Sequence, residues 1–254
     1  MVSLSNAGYF ADAFGSACGD AREDPTAEGQ RQLAALLESD AKLWPLGAGE
    51  GLTGYEQDWP EELFYDLMEA LHDVVARPRR RWWHDYDGAW DYDDFARRPG
   101  QAIYRWRVNE LLARSEVTLR LADSGPDAGL LVRSAGDPRD ALVEQMLQAP
   151  TSPEQTEVQH AIQLFRNRQA GRDEKRSAVI ALIRLLEGRR KLIKRQLFSK
   201  DEDALFQIAN HFDLRHRNAN QQPDYDDAYL DWLFWWYLAT VELTDRLLAQ
   251  ERWR

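Results

Sequence analysis

The sequence predicts a mainly α protein in two lobes: a C-terminal antiparallel helical bundle, preceded by a helical N-terminal lobe that carries one β-hairpin. Three observations point there. From Pro153 onward, long apolar-periodic runs follow one another with short polar breaks, as bundle helices do. Before it, shorter helical runs alternate with loops bearing Gly and Pro. Glu116 to Ala122 alternates apolar and polar residues, Asp123-Ser-Gly-Pro-Asp-Ala-Gly129 turns, and Leu130 to Arg133 returns, which reads as a hairpin near 116–133. Ala149-Pro-Thr-Ser-Pro153 marks the boundary, with Ser152 as a cap and Pro153 as the first helical residue, so the two domains are 1–150 and 151–254.

Each element has its own local reason. Gln30 to Trp44 sets Leu33, Leu36, Leu37 and Leu43 near one helical face. Asp58-Trp-Pro-Glu-Glu62 offers an N-cap, an early Pro and two acids for a helix running to about Ala76. Trp82 to Phe95 mixes aromatics with Asp85, Asp87, Asp91 and Asp93 beside His84. That spacing fits no calcium loop and reads as an irregular aromatic connection, with a metal-dependent enzyme as a minor alternative. Gly100 to Ala113 is a helix, and Asp137-Pro138 opens another through about Gln148. In the bundle, helices are expected at Glu154 to Arg168 and Glu174 to Phe198. A third runs from Asp201, capped by Ser199 with Glu202, and a fourth covers Asp226 to Gln250, with Leu230, Leu233, Phe234, Tyr237, Leu238, Val241 and Leu248 facing inward.

Composition limits what these elements can do. The chain has 254 residues, ten of them Trp and 44% hydrophobic, enough for a substantial core. A net charge of −11 opposes general binding to DNA or to a membrane surface. Between Arg166 and Arg195, however, eleven Lys and Arg face only Asp173, Glu174 and Glu187, a local +8 that is either a solvated helix face or an anion site. Arg77-Pro-Arg-Arg-Arg81 is a second basic run. Cys18 stands alone, which leaves no disulfide pair and no cysteine-based zinc site; no metal or other cofactor is expected. The start shows neither a secretory leader nor a span, so a cytoplasmic location without membrane contact is expected.

The chemistry-bearing stretch is the polar knot Asn210 to Gln222, set between two helical, aromatic segments. If the third helix persists, Ile208, His211, Phe212 and Arg215 share a face. Imidazole moves protons near neutral pH and guanidinium offers a fork of donors to phosphate, so His211, Arg215, His216, Arg217, Asn218 and Gln221 suit a phosphodiester. The plainer reading has the same Arg, Asn and His binding helix-end carbonyls or filling a core corner.

The Leu186-Glu187 junction, Ile208-Ala-Asn210, Leu214-Arg-His-Arg-Asn218, Gln221 and the Trp232 to Thr240 aromatic helix resemble the HEPN superfamily, within an uncharacterised bacterial two-lobed family. Tyr104-Arg-Trp-Arg-Val-Asn109 and the hairpin look like the accessory domains that precede such bundles in phage-defence proteins. The resemblance implies a helical bundle of abortive-infection or toxin type, often a metal-independent RNase working as a homodimer through that bundle. The resemblance carries over Arg215 and its polar neighbour His216 only; the residue chemistry then predicts Arg215 as phosphate clamp and His216 or His211 as acid/base, with Asn210, Arg217, Asn218, Gln221 and Arg190 binding substrate. Where the active pattern places its histidine this chain has Asn220, Gln221 and Gln222. Either His216 or His211 substitutes, or the bundle is a non-catalytic relative that binds RNA or a partner protein.

Overall fold

The computed structural model describes residues 2–15, 25–44, 59–150, 152–196, 205–207 and 226–252. The fold is mainly α, with two short antiparallel sheets. The chain divides into two compact units, Met1–Asp123 with Ala128–Leu131, and Ser124–Asp127 with Val132–Arg254. The helix expected to close the N-terminal lobe therefore belongs to the second unit, because its apolar residues Val143, Met146 and Leu147 join the bundle core.

The first unit contains α1 (Val2–Asn6), α2 (Ala11–Phe14), α3 (Pro25–Leu36), α4 (Glu61–Val74), β1 (Arg77–His84), β2 (Ala89–Ala96), α5 (Arg97–Leu112) and β3 (Leu119–Leu121). Helix α3 stops at Leu36, short of the Trp44 that periodicity suggested. Glu38 takes a left-handed backbone, and Leu36 ends exposed while Leu33 and Leu43 are buried. The returning strand is held by one side chain. Gln30 accepts from the Leu43 and Trp44 amides at 2.7 and 2.8 Å and donates to the Ala41 carbonyl at 2.8 Å. Trp44 then meets Phe10 and Phe14 edge-on in the core. Asp58, expected to cap α4, lies outside the described residues; the residue before the helix is Pro60, which offers no side-chain cap.

The segment from Arg77 to Ala96 is a correction. In place of an irregular connection it forms an eight-on-eight antiparallel hairpin, in register from Arg77↔Ala96 to His84↔Ala89. Its Asp87-Gly88 corner, with Gly88 at φ +59°, is a strong hairpin signal. At the base, Gly100 lets α5 approach β1: a Cβ there would lie 2.6 Å from the Arg77 nitrogen. The Tyr104–Asn109 motif is structural. Tyr104 is buried and donates to the Met68 carbonyl at 2.9 Å, while Asn109 bonds both the amide and the carbonyl of Leu121. The hairpin expected near 116–133 is present but short, closed by Ala122 and Gly129 amides bonding Leu130 and Ala122 carbonyls.

The second unit comprises most of β4 (Leu131–Arg133), α6 (Asp137–Leu147), α7 (Pro153–Arg166), α8 (Arg172–Gly188), α9 (Arg190–Gln196) and α10 (Asp227–Arg252). Ser152 caps α7 as expected, accepting from the Gln155 amide at 3.1 Å. The Leu230, Leu233, Phe234, Tyr237, Leu238 and Val241 stripe of α10 is fully buried, and Phe234 stacks face to face on Phe165 at 3.7 Å. Among described residues no helix is long and apolar enough to cross a membrane.

Candidate functional site

Of the residues nominated from the sequence, Asn210, His211, Arg215, His216, Arg217, Asn218 and Gln221 lie outside the described residues, as do Ser199 and Glu202. Arg190 is described, and so are the chain segments that flank the knot. On the near side, the Leu205 carbonyl accepts from the buried Tyr237 hydroxyl at 2.8 Å, and Arg190 lays its guanidinium over Phe206, 4.7 Å from the ring centre. On the far side, Asp226 caps α10 by accepting from the Ala228 amide at 2.8 Å. Arg172 then binds Asp227 at 3.0 Å and Lys175 binds Asp231 at 2.8 Å.

Arg190 sits at a break that periodicity alone conceals. The expected single helix from Glu174 to Phe198 is interrupted between Gly188 and Arg190, and Arg189 is the hinge. Its guanidinium turns inward, to Glu154 at 2.6 Å, Asp245 at 2.7 Å and the Thr244 hydroxyl at 2.6 Å. A buried guanidinium needs such partners, because an unpaired charge in an apolar interior is prohibitive. Restarting after that turn, α9 buries Leu192 and Ile193 and leaves Arg190, Lys191, Lys194 and Arg195 exposed on its other side.

The cations of the +8 stretch therefore range from buried to exposed, with Arg168, Arg172 and Arg176 half-buried between the extremes. Arg166, Lys175 and Arg189 are buried, and Lys175 and Arg189 meet acids within the unit. Arg184, Arg190, Lys191, Lys194 and Arg195 face solvent, with Arg195 paired to Glu251 at 2.6 Å. What the arrangement offers is a cationic helix face beside an aromatic ring, at the entry to the knot.

Two other clusters of titratable side chains lie in the first unit. His84 stands 3.9 Å from Asp87 and 3.7 Å from Asp91, and the Trp82 indole also donates to it. Among described residues no three His, Cys, Asp or Glu side chains converge on a point where a metal could sit, so the carboxylates of the arm form no such group. In the first unit, buried His72 accepts from Arg105 at 2.9 Å on Nε2, and Arg105 reaches Asp123 at 3.3 Å. Burial first, and the adjacent guanidinium second, hold this imidazole below its ordinary pKa, so it is neutral at pH 7. Neither Arg189 nor the His72–Arg105 pair stands out in the sequence; the clue to the former was a Gly inside a helical run. A cleft of about 650 Å³ also opens between α6 and α10, lined by Glu144, Gln145, Glu242, Asp245 and Arg246 among others.

No family model, curated protein or solved structure matches the chain.

Proposed function

We propose that the second unit is a HEPN-like, RNA-directed bundle of a bacterial defence or stress system, taking the RNA backbone at the α8–α9 junction. The observation that supports it best is the exposed cationic face of α9, Arg190, Lys191 and Lys194, with the Arg190 guanidinium carbon 4.7 Å from the centre of the Phe206 ring. Cations exposed together on one helix face draw phosphate even in an acidic chain. In this reading Arg215 clamps a phosphate, His216 or His211 transfers the proton, and Asn210, Arg217, Asn218 and Gln221 orient the strand. A fluorescent single-stranded RNA should bind at low salt and dissociate as salt rises. Lys191→Glu with Lys194→Glu should weaken binding by roughly tenfold or more through lost phosphate contacts. Total RNA incubated in EDTA should be cut by the wild type and spared by Arg215→Ala with His216→Ala. If the wild type neither binds nor cuts RNA, the reading is wrong.

A second reading, a non-catalytic protein-interaction module, is favoured by the outer face of α10. Tyr229, Trp232, Trp236, Ala239 and Leu243 recur at alternating steps of three and four, the spacing of a coiled-coil seam. Tyr229 and Trp232 are each 49% exposed and Leu243 40%. A second copy fits this ridge. Antiparallel pairing about Trp236 sets Trp232 against Ala239, Tyr229 against Leu243 and Asp226 against Arg246, matching large to small and acid to base. Light scattering should then give a homodimer, which Trp232→Glu converts to monomer with helicity unchanged; a monomeric wild type removes this reading.

A further inference from the structure

The β1–β2 arm carries a surface that the bundle's function does not use. Its distal half exposes Trp82 (41%), Trp83 (48%), Tyr86 (97%) and Trp90 (41%). Period-two alternation puts these rings on both faces of the ribbon. One face holds Arg81, Trp83 and Trp90, with Trp83 edge-on to Trp90 at 5.4 Å and Arg81 over Trp90 at 4.7 Å. The other holds Arg80, Trp82, His84, Asp91 and Asp93, with Trp82 bonded to His84. Near the base the arm is anchored: the Tyr92 hydroxyl donates to the Asn6 carbonyl at 3.1 Å. Beyond that anchor, no further layer among the described residues covers the rings of this two-stranded ribbon, and three exposed Trp within nine residues mark a contact surface.

Charge decides what the surface contacts. Strand β1 carries Arg77, Arg79, Arg80 and Arg81, whereas β2 carries Asp91, Asp93 and Asp94. With Asp85 and Asp87 at the tip the arm has four Arg and five Asp, so a polyanion such as RNA finds no net attraction. Within the hairpin the opposite charges already meet, Arg80 with Asp93 and Arg79 with Asp94 at 3.8 Å. Among the described residues the sheet contains these two strands, so β1 presents a basic edge and β2 an acidic one. Two-fold pairing would set Arg beside Arg or Asp beside Asp, which is unfavourable. Only basic edge against acidic edge is complementary, and the same chain supplies both. Pro78, lacking an amide hydrogen, narrows the usable part of β1 toward its distal end.

We propose that the arm docks a second copy of this chain head to tail, the acidic β2 edge of one copy taking the basic β1 edge of the next, with Trp83 and Trp90 covered at the contact. The association is heterologous, so it extends beyond a pair or closes into a ring, independently of the α10 ridge.

Site-specific cross-linking tests it separately from both readings of the bundle. In a Cys18→Ser background, one full-length protein carries Arg80→Cys and another Asp93→Cys; they are mixed and treated with a bis-maleimide longer than the strand spacing of about 4.8 Å. The mixed adduct should exceed either like adduct several-fold. It should fall several-fold when the second protein also carries Asp91→Asn, or when the first carries Trp83→Ala. Like adducts equal to or above the mixed one would overturn the proposal, and so would the absence of any adduct from proteins whose circular dichroism matches wild type. As a check free of cysteine substitutions, Arg79→Gln with Arg81→Gln and Asp91→Asn with Asp93→Asn should each lose the larger species in sedimentation, and mixing the two should restore a pairwise contact. Failure of mixing to restore it counts against head-to-tail docking.

Discussion

The β1–β2 arm and helix α10 are the two tryptophan-rich parts of the molecule, and they place their rings in opposite ways. On α10 the 3.6-residue period gathers Leu230, Leu233, Phe234, Tyr237, Leu238 and Val241 into one buried stripe. That leaves only Tyr229, Trp232 and Leu243 largely exposed on the far side, with Trp236 half-buried. Trp235 is intermediate: it meets Phe165 and Phe234 edge-on and carries Arg139 over its ring. On the arm the period is two, both faces receive aromatics, and neither has a layer to pack on beyond Tyr92. Similar residue types thus build a core in one place and a surface in the other. Aromatic content alone therefore says nothing about burial; the periodicity and the number of layers decide it.

The largest effect that should separate the two regions is on stability. Phe234→Ala removes a fully buried ring stacked on Phe165 and should cost about 3–5 kcal/mol in thermal or urea unfolding. Trp83→Ala on the arm should stay within about 0.5 kcal/mol, since it deletes no core contact. An equal cost for both would erase the distinction.

A smaller loss is expected at the polar centre beside α10. Arg189→Ala removes a buried guanidinium with its bonds to Asp245 and the Thr244 hydroxyl and should cost roughly 2–3 kcal/mol, whereas Arg190→Ala, its exposed neighbour, should change stability little. Comparing the two midpoints in urea isolates burial from charge.

Smaller again is the anchor of the arm. Gly8 has φ +75°, and a Cβ there would meet the Tyr92 ring at 2.5 Å. Gly8→Ala should cost about 1–3 kcal/mol and loosen the arm, read as faster amide exchange in β2.

The last effect is a pH dependence confined to the first unit. The unfolded His72 imidazole takes a proton near its ordinary 6.5, while the buried ring does so only at lower pH. Between those values the unfolded chain holds more protons. Its contribution is therefore complete above about pH 6.5 and is lost as the pH falls. The facing groups are Arg105, which deepens the shift, and Asp73, 3.5 Å from Nδ1, which opposes it. His72→Gln should flatten the melting temperature between pH 7 and pH 5 relative to wild type.

How much was legible in advance differs from residue to residue. Ser152 with Pro153 and the inner stripe of α10 from Leu230 to Val241 are legible directly, because caps and helical periodicity are local and the structure bears them out; Leu248, expected on the same stripe, is only half-buried near the helix end. The arm is hard to read although Asp87-Gly88 signals a turn, since β1 carries no apolar-polar alternation, β2 alternates only from Trp90 to Asp93, and the strands are joined by cross-strand Arg–Asp and Trp–Trp pairs. At the nominated site, residue chemistry was legible at Arg190 but its setting over Phe206 was not.

By itself, then, the sequence determined the Ser152-capped start of α7, the apolar face of α10 and where the cations cluster, because those properties depend on residues within a few turns. Only the tertiary structure decided that Arg189 turns inward while Arg190 stays out, and that α6, expected to close the N-terminal lobe, joins the bundle core. The physical reason is shared. A buried charge or an apolar stripe is stable only where partners from distant segments arrive, here Glu154 and Asp245 for Arg189, and local pattern does not record who those partners are.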